Sequence, residues 1–325
     1  MLPPQDLARA YASTGQPVRW TAPSLLLSSL PVTARNNLGR NLATKGPQEA
    51  FGKLTDLSLE HMRQVVDYCI RHLVREEPKG IGLELGSGCG LLASVLAARP
   101  QVECVLAVEI CEVLTNAIIS KVAHSILGDK WRKVVPVRGC FDCMELPDRP
   151  VDFVTEFHSL HHSGDVAGSL RGTARVLKRS GWVLCLDRCH PNQVTDAQIA
   201  AMLSRVYPRA YLITDGYPPD IVLTRGENGE HEYRLREWKQ AFHDAGFRIA
   251  AQGNLWTPLS VRTAIKGLLS ILPQQIRRAF YKTEDASLSA SKEWLRQRLA
   301  RLSGRYVFLP QRFSTAFVLR PSPRS

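Results

Sequence analysis

The run Ile81-Gly82-Leu83-Glu84-Leu85-Gly86-Ser87-Gly88-Cys89-Gly90-Leu91-Leu92 constrains this chain more than any other stretch: an apolar strand enters a glycine-rich turn with an acid at its mouth. Glycines at alternate positions let the backbone turn sharply and pass close to a ligand. A dinucleotide fingerprint would read Gly-x-Gly-x-x-Gly, but its third small position falls on Leu91, and a glycine stands one residue early at Gly90. No Gly-Lys-Ser/Thr ending follows, so a P-loop is excluded. Glu84, two residues before the first glycine, favours a ligand bearing positive charge.

On either side of this turn, apolar runs alternate with amphipathic ones. Ser58 is a plausible N-cap for a helix through Leu59, Met62, Val65, Val66, Cys69 and Ile70 that ends near Arg75. Strands are expected at 81–85, 102–108, 134–137, 151–157 and 181–186, with helices between them. Strands that read as apolar runs, not in-out patterns, predict an α/β fold: a Rossmann-like, mostly parallel sheet of seven strands with helices on both faces. After Asp187 the rhythm changes, with a helix near 196–206, Pro/Gly-rich loops, a helix from Leu235 closed by Gly246, and a strand at 247–251. The expected organisation is an N-terminal helical lid (1–57), the α/β core (58–253), a basic helical insertion (254–305), and final strands with a tail (306–325), the last strands forming a pair.

Glu84-Leu85-Gly86-Ser87-Gly88-Cys89-Gly90 resembles motif I, E/D-x-G-x-G-x-G, of the class I S-adenosylmethionine-dependent methyltransferases. Four further stretches follow in that family's order. Glu109 ends the second strand, where a carboxylate can accept both hydroxyls of a ribose. Phe141-Asp142-Cys143-Met144-Glu145-Leu146-Pro147 resembles the stretch after the third strand and places Asp142 on the acid that receives the adenine amino group, with Gly139-Cys140 as the competing equivalent. Val151-Asp152-Phe153-Val154…Leu160-His161-His162 matches the branch containing the ubiquinone-biosynthesis methyltransferases, as does the turn Arg175-Val176-Leu177-Lys178-Arg179-Ser180-Gly181. The resemblance implies S-adenosylmethionine as cofactor, held by Glu84, Gly86, Ser87, Gly88, Gly90, Glu109, Ile110, Asp142, Cys143 and Phe157. It spans roughly residues 58–251.

Methyl transfer from a sulfonium is an in-line displacement, and a base is needed only when the acceptor must lose a proton. His161 and His162, which follow the fourth strand of the core, are the candidates, with His161 weakly preferred and Glu156 and His158 as alternatives; imidazole suits a phenolic or enolic proton near neutral pH. Strand alternation turns His158 the same way as Glu156. The competing role for the pair is structural, with one histidine capping the next helix.

The formal charge of +12 is uneven: residues 256–305 hold ten Lys or Arg and three acids, giving +7. A lid with a solvated basic face, a docking surface for an anionic membrane or an acidic carrier, and an RNA site, in that order, account for it. The segment lacks interleaved aromatics that stack on single strands. The fourth strand carries no Pro-Pro signature of DNA amine methyltransferases and no Pro-Cys nucleophile, so the expected acceptor is a small molecule, acidic or lipophilic, at oxygen or carbon. A shared zinc site for Cys140, Cys143, Cys185, Cys189 and His190 is disfavoured because the two groups fall on opposite sides of the sheet in this fold; no metal is expected. Without a basic-then-apolar leader, and with eight cysteines read as reduced thiols, the chain reads as cytoplasmic.

Overall fold

The computed structural model describes residues 1–55, 57–255, 306–307 and 314–323. Residues 1–252 with 315–325 form one compact unit, and residues 253–314 a second. Both basic helices expected within 256–305 lie outside the described residues.

Among the described residues nine strands occur: β1 (Val18–Arg19), β2 (Gly80–Leu85), β3 (Val102–Glu109), β4 (Val134–Arg138), β5 (Val151–Phe157), β6 (Leu177–Asp187), β7 (Phe247–Leu255), β8 (Tyr306–Val307) and β9 (Ser314–Pro321). Their order is β1-β4-β3-β2-β5-β6-β9-β7-β8. The neighbours from β4 to β6 are parallel, whereas β9 pairs antiparallel with β6. The seven longer strands are thus the expected mostly parallel α/β sheet, extended by two-residue strands at its edges. Among the described residues the last two strands do not pair with each other: β8 lies beside Asn254 and Leu255 at the end of β7, and β9 is ordered between β6 and β7.

Near-continuous burial along β2 and β3 explains their apolar sequences: Leu83, Leu85, Leu106 and Val108 are each at most 1% exposed. Gly82 is required here, since a Cβ would lie 2.4 Å from the Phe153 ring, which stacks on Trp182 with centroids 5.0 Å apart. The expected N-cap is present: Ser58 Oγ accepts from His61 N at 3.2 Å, an interaction worth about 1 kcal/mol. The helix beyond it runs from Leu59 to Tyr68, continues as a π-helical stretch to Val74, and stops where Arg75 turns left-handed at φ 58°.

Two readings change. Lys178 to Gly181 is not a turn before the strand but an irregularity within β6: Val151 pairs with Leu177, and two residues later Phe153 pairs with Trp182, so β6 carries three extra residues. Beyond Asp187, the helix near 196 ends at Leu203, and a further short helix, Arg209–Thr214, follows. No helix among the described residues is long and apolar enough to cross a membrane.

Candidate active site

Chain direction reverses its course across the sheet between β2 and β5, since β3 and β4 lie to one side of β2 and β6 to the other. In such sheets ligands bind outside the C-terminal strand ends at this switch point. The glycine turn leaves β2 there, and the His158–His162 segment leaves β5 there.

Gly86, Gly88 and Gly90 all have positive φ (65°, 53° and 76°), but for different reasons. A Cβ on Gly86 would lie 2.5 Å from Ser159 Cβ, and one on Gly90 would lie 2.9 Å from Ile119 Cγ2. One on Gly88 meets nothing within 4 Å. The first and third glycines therefore let the turn pack against the protein, and the middle one faces open space. Ser159 Oγ donates to Leu85 O at 2.6 Å, tying the segment after β5 to the glycine turn. Ser87 Oγ is buried and has no hydrogen-bond partner among the described residues, an orphan that a ligand hydroxyl or carboxylate would satisfy.

Four neighbouring strands, in the order β3-β2-β5-β6, carry a buried acid at or next to their last residue: Glu109, Glu84, Glu156 and Asp187. Glu109 accepts from Gly88 N and Cys111 N, both at 2.9 Å, so it shapes the turn beside it. Glu84 accepts from Ala93 N at 2.9 Å in the first turn of the following helix. Burial pushes the Glu84 carboxyl well above its ordinary range, opposed by the Ala93 N–H and reinforced by Glu109 and Glu156. Glu156 is pushed up to about 8, by burial first and then by Asp187. Its Oε2 accepts from Ser159 N at 3.1 Å and lies 3.1 Å from Ser159 Oγ, which gives its own proton to Leu85 O and can accept one from the carboxyl; these contacts fix the loop bearing the histidines. Burial raises Asp187 as well. Buried acids such as Glu84 and Glu156, which burial keeps from ionising, are a setting for a cationic ligand.

His161 is 4% exposed, and its Nδ1 lies 2.6 Å from Asp187 Oδ1. Asp187 Oδ2 also accepts from His161 N at 3.0 Å, and Oδ1 from Arg188 N at 2.6 Å, so ring and main chain are both fixed. His158 lies close to this pair, with one ring nitrogen within 4.8 Å of a His161 nitrogen and an Asp187 oxygen. The 2.6 Å separation is that of a strong hydrogen bond between imidazole and carboxyl. His158 lies past the end of β5 with φ 53°, so strand alternation does not set its direction as expected. His162 stacks obliquely on His161, with centroids 4.2 Å apart, but is exposed.

The remaining expected residues are placed around this centre. Ile110 and Phe157 are half-buried, at the ends of β3 and β5. Asp142 and Cys143 are exposed in a short helical turn after β4. Asp142 Oδ1 accepts from Ser163 Oγ at 2.9 Å and from Ser169 Oγ, joining its turn to the loop after β5. Sequence reasoning missed three participants: Ser159, the Phe141 ring 3.5 Å from a Cβ at Gly86, and Asp187. Asp187 had a signal, because it closes an apolar strand as Glu109 does.

A switch-point glycine turn with open space at its centre, an orphaned serine hydroxyl and a row of buried acids fits S-adenosylmethionine, whose sulfonium and ammonium are cationic. Fold and site define a class I S-adenosylmethionine-dependent methyltransferase. Residues 59–252 match the methyltransferase domain family, and the chain belongs to it. A curated relative, the uncharacterized methyltransferase YcgJ of Bacillus subtilis, is 29% identical over 125 residues, covering 38% of this chain and 47% of that protein; the match thus spans about half of the relative. The chain is similar in fold to a candidate methyltransferase solved with the Trm112 activator of Haloferax volcanii (14% identity, TM-score 0.52, 88% of this chain and 98% of that one). It is also similar to a candidate sarcosine dimethylglycine methyltransferase of Galdieria sulphuraria (16% identity, TM-score 0.50, 82% and 87%).

Proposed function

We propose that this chain methylates a small-molecule acceptor at an oxygen or carbon centre that must shed a proton, with His161 as the base. The buried His161–Asp187 pair at the ends of β5 and β6, beside the glycine turn, carries this reading. Asp187 holds Nδ1 and orients the ring, so proton exchange falls to Nε2. His162 packs on the pair, and Glu156 supports the loop instead of reaching the acceptor. The cofactor supplies an electrophilic methyl group for in-line displacement. In this reading Glu109 receives the ribose hydroxyls, Ser87 and the open middle of the turn at Gly88 line the methionine portion, with Gly86 and Gly90 shaping the turn by packing, and Glu84 and Glu156 face its positive charge. Ile110, Phe157, Asp142 and Cys143 enclose the base, with Asp142 toward the amino group of adenine.

S-adenosylhomocysteine at about a hundredfold excess over Kd is expected to stabilise the fold by about 3 kcal/mol, raising Tm by about 5–10 °C. Incubation with labelled cofactor and a small-molecule extract then identifies the product. No shift with cofactor or product at millimolar concentration sinks the reading. Tight binding without turnover on any extract would mark an inactive partner subunit instead.

The acids add a pH signature. A carboxyl whose folded pKa is raised holds its proton in the folded state, so its stabilising contribution is complete below the unfolded value and is lost as pH rises through the folded one. For Glu156 that window runs from about 4.5 to about 8. The cofactor-free protein is expected to lose Tm between pH 6 and 8.5. A cationic cofactor favours the ionised acids, so the Tm gain from S-adenosylmethionine should be larger at pH 8.5 than at pH 6. Thermal unfolding at both values decides; a gain that is flat or falls with pH separates the acids from the cofactor.

A further inference from the structure

Arg188, one residue past Asp187 at the end of β6, has no part in the methyl-transfer chemistry above, yet its guanidinium is largely buried, with a side chain 16% exposed. Its Nη1 is committed to Glu230 at 2.8 Å and Glu232 at 3.4 Å. These two acids are also held by Arg225, and Glu232 by His190 Nε2 at 2.6 Å. Burial opposes ionisation of Glu230, but Arg188, Tyr207 and Arg225 hold its carboxyl down at about 2. The cluster of two arginines and two glutamates is therefore ionised and internally balanced.

The other side of the guanidinium differs. Nε and Nη2 of Arg188 are both buried, and neither has a hydrogen-bond partner among the described residues. These two nitrogens share one edge of the planar group, and their N–H bonds run parallel, the fork that takes a carboxylate in a bidentate pair. Buried donors of a charged group are seldom left unmade, so an edge with both prongs empty marks a place for an anion. The guanidinium charge acts on Asp187 and on His162, the two neighbours of the proposed base, and Arg188 N donates to the same Asp187 oxygen that pairs with His161 Nδ1.

We infer that the methyl acceptor carries a carboxylate, held by the Nε/Nη2 edge of Arg188 while its ionisable acceptor atom faces His161. The inference rests on the methyl-transfer reading and names its substrate class. A monoanion suits the site better than a phosphate dianion, because Glu230 and Glu232 already balance much of the arginine's charge. The Nη1 pairs fix the guanidinium plane, so the fork is oriented before the acceptor arrives.

The test uses the full chain loaded with S-adenosylhomocysteine and titrated with benzoate, 4-hydroxybenzoate, phenylacetate and hexanoate, each against its neutral amide. At least one carboxylate is expected to raise Tm further while its amide does not. Arg188→Gln should weaken that binding by about 10- to 100-fold, with the shift due to S-adenosylhomocysteine unchanged. Arg188→Lys, which keeps the charge but not the fork, should fall between; it carries the test if the glutamine variant does not fold. The inference is overturned if no carboxylate binds, if amides bind equally, if phenyl phosphate binds more tightly than benzoate, or if the Arg188 variants bind as the parent does. If S-adenosylhomocysteine itself gives no shift, the methyl-transfer reading fails separately, and the carboxylate and amide comparison is read on the unloaded protein.

Discussion

His161→Gln is expected to lower kcat by about 10²- to 10⁴-fold while leaving the Tm gain from S-adenosylhomocysteine within a degree of that of the parent. Glutamine is close to histidine in volume and can still donate to Asp187, which accepts at 2.6 Å from a side chain only 4% exposed. What it lacks is a nitrogen that takes up a proton near neutral pH. The loss should fall on kcat more than on KM, because the group acts in the transition state and not in holding the acceptor. The acidic limb of the pH–rate profile should vanish with it, since protonation of the ring no longer gates the reaction. His243→Gln, at an exposed position in the helix Leu235–Asp244, is the control and should change kcat by less than about threefold, the range expected of a surface substitution. The opposite pattern, with His161→Gln fully active but several degrees less stable, would reduce the His161–Asp187 pair to packing. Single-turnover measurements with the identified acceptor separate the two.

Much of this centre could be read along the chain, because the features concerned are local. The turn is set by residues 84–90, its acid by the strand before it, and the spacing to Glu109 by one helix and one strand. The pairing of His161 with Asp187 could not be read, because it joins residues 26 apart. It depends on the parallel register that sets Glu156 against Cys185 and Phe157 against Leu186. That register contains three extra residues at Lys178–Gly181, a stretch whose glycine and basic residues look locally like a turn. The Arg188 cluster is harder still, since its acids, Glu230 and Glu232, come from a segment without clear periodicity. His158 shows a limit of another kind. Alternation holds only while the backbone is extended, and the chain leaves the extended region at that residue, with φ 53°. The short strand β1 is two residues long and pairs with Val137 and Arg138, below the length at which a period of two has meaning.

Substitutions in the glycine turn are expected to separate folding from cofactor binding, although the sequence makes the three glycines look alike. Gly86→Val places a Cβ 2.5 Å from Ser159 Cβ at a residue with φ 65°. The left-handed conformation alone costs about 1–2 kcal/mol, and forced overpacking adds about 1–3 kcal/mol. A loss of about 2–5 kcal/mol corresponds to a fall in Tm of about 5–15 °C, and cofactor binding should go with it because Ser159 also ties the turn to the loop bearing His161. Gly88→Ala meets nothing within 4 Å, so its cost to the cofactor-free fold is confined to the backbone at φ 53°, about 1–2 kcal/mol. If the open space is the cofactor's, the added methyl group occupies it, and S-adenosylhomocysteine should bind at least about tenfold more weakly, a loss of 1.4 kcal/mol or more. Calorimetric titration and thermal unfolding of both variants give the comparison. A Gly88→Ala protein that binds S-adenosylhomocysteine as tightly as the parent would place the cofactor elsewhere than against the middle of the turn. Equal effects of the two substitutions on Tm would mean that Gly88, like Gly86, serves packing and not a ligand.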